Sequence, residues 1–162
     1  MSKQAHAGHE QTVARLAGAG LSLPAAPAAV GQYVPAVRTG SLVFTSGQLP
    51  LASGSLLASG LVGREVTPET ASACARQAAL NALAAASTVC DLDEVTRVVK
   101  LVGYVASAER FTAQPAVING ASEVMALAFG DVGSHSREAV GVARLPLDAP
   151  VEVSIVLEIG SH

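Results

Sequence analysis

Few side chains in this sequence are of types that do chemistry, and they gather at the edges of β-type runs. Tyr33, Thr45, Ser46 and Gln48 come early, Asn119 falls in a helix-like stretch, and His135, Arg137 and Glu152 come late. Arg137 stands just before an expected strand, Ala139 to Leu145, and Glu152 lies in the next one, Val151 to Ile159. If those two strands form an antiparallel pair, guanidinium and carboxylate sit near each other on neighbouring strands. Such a pair is either a structural ion bridge of little energetic weight, or a site where Arg137 grips a substrate carboxylate with its bidentate fork while Glu152 handles a proton or orients a water. Taken singly, the others have plain structural readings too. Ser46 caps a strand end, Tyr33 fills core, Asn119 satisfies a helix terminus and His135 occupies a loop.

Other chemistries lack their minimal parts. There is no GxSxG, P-loop, GxGxxG after a strand or HExxH, which leaves covalent hydrolase, nucleotide and metal readings without support. Cys74 and Cys90 are not in ligand spacing, and no His lies near them at zinc-site intervals, so they read as small core residues in a reducing compartment. The net charge is −3 with the ten Lys and Arg residues scattered singly, which gives no footprint for a phosphate backbone; nucleic acid is not an expected partner. No window is apolar enough for a membrane span, and the N-terminal stretch around His9 and Glu10 lacks the pattern of a signal peptide, so a cytoplasmic location is expected.

The elements that must position these residues follow from patterning. The chain's 162 residues suit one domain. Residues 1–29 read as an appended arm, with a short helix from about Glu10 to Ala17 and a Pro-stiffened connector, Leu23 to Pro27; the domain proper is expected over residues 30–162. Val34 to Arg38 and Leu42 to Thr45 flank a Gly-containing turn and predict a hairpin. Pro50 to Gly63 reads as an irregular loop with one weak strand. Thr67-Pro68-Glu69-Thr70 is a helix start for a segment running to about Ser87, with Ala71, Cys74, Ala75, Ala78, Leu83 and Ala86 on its apolar stripe and Arg76 and Asn81 off it. Val95 to Val105 predicts a central strand, about Thr112 to Phe129 a second helix stopped by Gly130, and two strands close the chain. This order argues for an α+β layer, two helices on one face of a mixed sheet. Half of the residues are apolar, 3% are aromatic and 14% charged, so the core is built from Ala, Val and Leu, and self-association is expected to cover the remaining sheet face.

Three blocks carry a family resemblance. Gly31-Gln32-Tyr33-Val34-Pro35-Ala36-Val37 resembles Gly-Pro-Tyr-Ser-Gln-Ala-Val of the RidA/YjgF reactive-intermediate deaminases, also labelled endoribonuclease L-PSP. Leu42 to Pro50 matches that family's strand ending in Ser-Gly-Gln-Ile-Pro, and Ser136 to Pro146 with Val151-Glu152-Val153 is similar to its C-terminal signature. The match covers about Val30 to Ile159. The resemblance implies a chorismate-mutase-like fold, a homotrimer with clefts at its subunit interfaces, and hydrolysis of 2-imino or enamino acids to keto acids and ammonia. It places Arg137 on the substrate carboxylate and gives Glu152 the water. Ser46 and Gly47 line the pocket, Tyr33 closes over it and the Ala139 backbone makes a polar contact, with Thr45 and Asn119 also counted as substrate-binding. An imine is already electrophilic, so an anchor, a positioned water and a partly closed cavity suffice; no metal or other cofactor is expected.

The sequence departs from the family pattern at His135-Ser136 before Arg137 where Pro-Ala is usual, at Ala139 for Cys, at Val34-Pro35 for Ser-Gln, and at Ser122 for Tyr. These mark a branch distinct from the best-studied deaminases. Two readings stand beside deamination: a non-catalytic small-carboxylate binder using the same cleft, and the ribonuclease of the older label, for which acidic charge and few aromatics supply neither phosphate track nor stacking platform.

Overall fold

A computed structural model describes residues 9–28 and 31–160. The start of the expected arm, at residues 1–8, and its junction with the domain, at residues 29 and 30, lie outside the described residues. The elements are α1 (Glu10–Gly18), β1 (Ala36–Thr39), β2 (Leu42–Thr45), β3 (Leu51–Ala52), β4 (Ser55–Leu56), α2 (Pro68–Ala86), β5 (Val95–Ala106), α3 (Gln114–Phe129), β6 (Ser136–Val142) and β7 (Val151–Ile159). The five long strands form one mixed sheet in the order β1-β2-β7-β5-β6, and β3 and β4 make a separate two-stranded ribbon.

Local sequence accounts for most boundaries. Gly40, at φ 58°, supplies the left-handed backbone that lets β1 turn into β2 through two residues. Thr67 caps α2, its hydroxyl accepting the Thr70 N–H at 3.2 Å, and Pro68 opens the helix. Gly130, also at positive φ, ends α3.

The helices lie on one side of the sheet. Along β7, Val151, Val153, Ile155, Leu157 and Ile159 are buried, while Glu152, Ser154, Val156 and Glu158 alternate with them on the other face. That second face carries Val37 (51% exposed) and Phe44 (42%) without a helix over them. α2 packs on β1, β2 and β7 and alongside α3, which lies on β5 and β6, and α2 is buried almost all round from Ala78 to Ala86. Asn81 belongs to this buried stretch, contrary to its expected place off the apolar stripe. Its amide donates to Leu49 O (2.9 Å) and Leu51 O (3.0 Å), so a polar side chain is tolerated because both its protons are satisfied. The two helices meet closely at Gly120, where a Cβ would stand 2.2 Å from Ser72 O.

The expected pairing of the last two strands is overturned. β6 pairs parallel with β5, and β7 lies between β2 and β5, so β5 separates β6 from β7. The long strands β5 and β7 carry the most continuous buried apolar rows and claim each other. The eight-residue link 143–150 spans up to roughly 25 Å and easily crosses the ~10 Å of two strand spacings. β6 also begins at Ser136 and ends at Val142, three residues before the expected limits at each end, which puts Arg137 inside the strand.

The expected arm is docked. Leu16 of α1 is fully buried, Leu21 and Leu23 pack against the same core, and Arg15 Nη1 donates to Ala128 O at the end of α3. Asp93 caps α1 from a distance, accepting from Gln11 N (2.9 Å), Thr12 N (2.8 Å) and Thr12 Oγ1 (2.7 Å). Cys74 and Cys90 are free thiols, and burial pushes both up to about 11, well away from nucleophilic use.

Candidate active site

The structure divides the expected site residues into two groups. The first surrounds Arg137 on β6, the edge strand of the sheet. Arg137 shares a rung with Leu101, whose side chain is buried on the helix side, so the guanidinium reaches along α3. Nη1 donates to Asn119 Oδ1 (2.8 Å) and Ser122 Oγ (3.2 Å), and Nη2 to Pro115 O (3.4 Å). These three acceptors are neutral, and they leave Nε–H and one Nη2–H available for an anion. Among the described residues no carboxylate forms a salt bridge with Arg137, whereas Arg64, Arg76, Lys100 and Arg144 each have one.

His135 extends this group. Its Nδ1 lies 2.6 Å from Gly133 O, an atom that only accepts, so Nδ1 carries the proton in the neutral ring. Nε2, 3.0 Å from Ser122 Oγ, then accepts the hydroxyl proton. A directed chain results: Arg137 donates to Ser122, Ser122 to His135, and His135 to the main chain. Asn119 was a sequence candidate and meets Arg137 directly. Ser122 was noted only as a departure from the family pattern, and its role as an acceptor for Arg137 emerges only from the helix–strand packing. Ala139, two residues on, is half-buried on the same side, packed against the core.

The second group lies across the sheet. Glu152 shares a rung with Tyr104, and Tyr104 with Val140, on the face without helices. Gly47 is set hard against it: a Cβ there would be 2.5 Å from Glu152 Oε1. Only glycine allows the carboxylate this approach. Burial raises the Glu152 carboxyl above its ordinary range. Gln48 bridges to Val153 through both main-chain bonds, which locks the Ser46–Gln48 turn to β7 beside Glu152. Ser46 Oγ donates to Val34 O at 2.7 Å and Ser46 N to Pro35 O, tying that turn to the segment that carries Tyr33. Tyr33, 54% exposed, lines a cavity of about 320 Å³ together with Gly47, Gln48, Leu49, Leu51 and Leu147. Thr45 serves the sheet: its hydroxyl accepts the Ile155 N–H at 3.0 Å.

Arg137 and Glu152 therefore do not sit side by side, contrary to the expectation drawn from adjacent strands. One strand and three rungs separate them, and their side chains leave opposite faces of the sheet. Standard strand spacings put their Cα atoms roughly 14 Å apart. Each group carries half of the expected chemistry, an anion anchor or a proton-handling carboxylate.

Comparison with known proteins agrees with this architecture. Residues 13–159 match a family model described as "YjgF/chorismate mutase-like, putative endoribonuclease". The chain is 40% identical over 153 residues to protein TCP17 of Trypanosoma cruzi, covering 93% of this chain and 96% of that one. It is 33% identical over 133 residues to the 2-iminobutanoate/2-iminopropanoate deaminase of Salmonella typhimurium, covering 81% and 90%. The crystal structure of protein Atu1372 from Agrobacterium tumefaciens, of unknown function, superposes with a TM-score of 0.86 at 42% identity over 94% of each chain. The fold, the strand ending in Ser46-Gly47-Gln48 and the family model over most of the chain lead to one conclusion: this protein belongs to the RidA/YjgF family of chorismate-mutase-like proteins.

Proposed function

We propose that the protein hydrolyses reactive 2-imino and enamino acids to 2-keto acids and ammonia, in clefts formed between copies of the chain in a homotrimer. The observation that carries this is the division of the site. Arg137 and Asn119 lie at a free sheet edge, and Tyr33, Ser46, Gly47 and Glu152 lie beyond the intervening strand, where among the described residues no salt bridge engages Glu152. A neighbouring copy brings one half against the other, and the bare sheet face with Val37, Phe44 and Val140 supplies apolar surface for that contact.

In such a cleft the substrate carboxylate takes the remaining Arg137 donors. Glu152 accepts a proton from water as the water oxygen bonds to the imine carbon and the C=N electron pair moves to nitrogen. That proton passes to the nitrogen to give a carbinolamine; Glu152 then takes the carbinolamine hydroxyl proton and delivers it to the amine, so that C=O forms as the C–N bond breaks and ammonia leaves. The raised Glu152 carboxyl suits both halves of the transfer. Water and substrate balance the reaction without another reactant.

The test generates 2-iminopropionate or 2-iminobutyrate with a dehydratase and follows keto-acid release. Acceleration by the protein is expected, with Arg137→Ala lowering kcat/KM by at least about 100-fold, in line with the loss of a bidentate anchor. An unchanged rate in Arg137→Ala contradicts the assignment. Tight keto-acid binding with no acceleration identifies the cleft as a carboxylate-binding site without turnover.

A further inference from the structure

The cavity beside Glu152 differs in character from the polar groups that flank it. Its walls come from three distant stretches: Pro27 and Ala28 of the connector after α1, Leu49 and Leu51 after the Ser46–Gln48 turn, and Leu147 on the link between β6 and β7. Gly47 belongs both to this cavity and to the contact with the Glu152 carboxylate, so the cavity opens next to the reacting position. None of its lining residues is charged. The amide of Gln48 is turned onto Ser46 O at 3.2 Å, and the carbonyls of Leu49 and Leu51 are both taken by the buried Asn81 amide. These three polar groups of the wall are thus engaged within the chain.

Leu147 adds an independent observation. It is 70% exposed and holds a left-handed backbone, φ 58° and ψ 16°, that a leucine adopts only at a cost. The turn is held by the Asp148 N–H on Leu145 O and the Ala149 N–H on Pro146 O. It leaves a large apolar side chain at the cavity rim, facing Tyr33 and Leu51, which are themselves partly exposed.

We propose that this cavity is the side-chain subsite of the cleft and that it selects 2-imino acids with bulky apolar side chains, branched aliphatic or aromatic, over those with a methyl or a hydroxymethyl group. The inference rests on the deaminase reading above. With the carboxylate on Arg137 and the imine carbon at Glu152, the third substituent has the Gly47 side to occupy, and each methylene buried there is worth about fourfold in affinity. A hydroxymethyl group entering the same space buries less apolar surface and loses its water.

An amino-acid oxidase with catalase, supplied with leucine, phenylalanine or alanine, generates the corresponding imines, and trapping by semicarbazide reports how fast the full-length protein removes each. The leucine- and phenylalanine-derived imines are expected to show kcat/KM at least tenfold above the alanine-derived one. Equal values, or a preference for the alanine-derived imine, overturn the proposal. Leu51→Trp narrows the cavity and Leu147→Gly removes its rim, and each is expected to shrink that ratio at least threefold. Leu147 lies at the surface, so its replacement keeps the fold, and a ratio unmoved by either folded variant also overturns the proposal. Should no imine of any size be accelerated, the deaminase reading fails by itself. Calorimetry with 4-methyl-2-oxopentanoate and pyruvate then decides the subsite: binding of the former at least tenfold tighter upholds it, and equal or absent binding of both overturns it.

Discussion

At the scale of single residues, the site works through what surrounds each charge. Arg137 is steered by neutral acceptors, so its positive charge is not cancelled before a ligand arrives. Glu152 is held by a glycine contact and by burial, which raises its carboxyl. The sign of the pH dependence follows. Glu152 must be ionised to take a proton from water, so activity is lost as pH falls through its raised pKa, and the acidic limb of kcat/KM lies above the ordinary glutamate range. A pH–rate profile checks this, and Glu152→Gln is expected to abolish that limb along with at least about 100-fold of the rate, the lower end of general-base contributions. A limb at or below the ordinary glutamate range would contradict the burial argument. Ser46, Gly47, Arg137 and Glu152 were visible in the sequence through the family blocks. Thr45 was visible as a polar strand-end residue, but its hydroxyl is bound to the Ile155 main chain, a fate that a list of polar positions does not reveal.

At the scale of elements, local signals were legible and adjacency was not. Thr67-Pro68 starts α2, Gly40 turns β1 into β2, and Gly130 stops α3 because each sets backbone geometry within a few residues. Direction and neighbourhood of strands are separate matters. β6 and β7 run in opposite directions, yet β5 lies between them, because long-range pairing of the two longest apolar rows outweighs proximity in sequence. The cavity was equally hidden, since its walls come from stretches about a hundred residues apart. Two predictions belong here. A methyl group at Gly120 meets the Ser72 carbonyl, so Gly120→Ala is expected to destabilise the α2–α3 contact by about 1–3 kcal/mol in urea unfolding; no loss would mean that the helices separate freely. Burial alone would raise the Asp93 carboxyl, but hydrogen bonds from the Thr12 hydroxyl and from the Gln11 and Thr12 main chain outweigh it and hold the group below the usual range. A lowered native pKa gives stability that is present above the unfolded value and lost as pH falls through the native one. Asp93→Asn is therefore expected to loosen α1 by about 1 kcal/mol at neutral pH, the usual worth of a cap, and to make no difference at acid pH. Amide exchange in α1 reads both outcomes.

At the scale of the whole molecule, an apolar chain poor in charge folds with one sheet face bare and its two chemical half-sites on opposite sides of the sheet. Composition alone pointed to self-association. The fold adds that Arg137 and Glu152 leave opposite faces of the sheet, so the proposed chemistry requires a second copy of the chain to bring them to one small substrate. A monomer in light scattering would remove the cleft altogether. The more direct measurement mixes two inactive variants. Arg137→Ala and Glu152→Gln, coexpressed in equal amounts so that they assemble together, leave both intact residues at about one in four of the interfaces of a cyclic assembly. The account predicts recovery of roughly a quarter of the wild-type imine hydrolysis rate. Activity no higher than that of either variant alone would show that Arg137 and Glu152 do not meet across subunits.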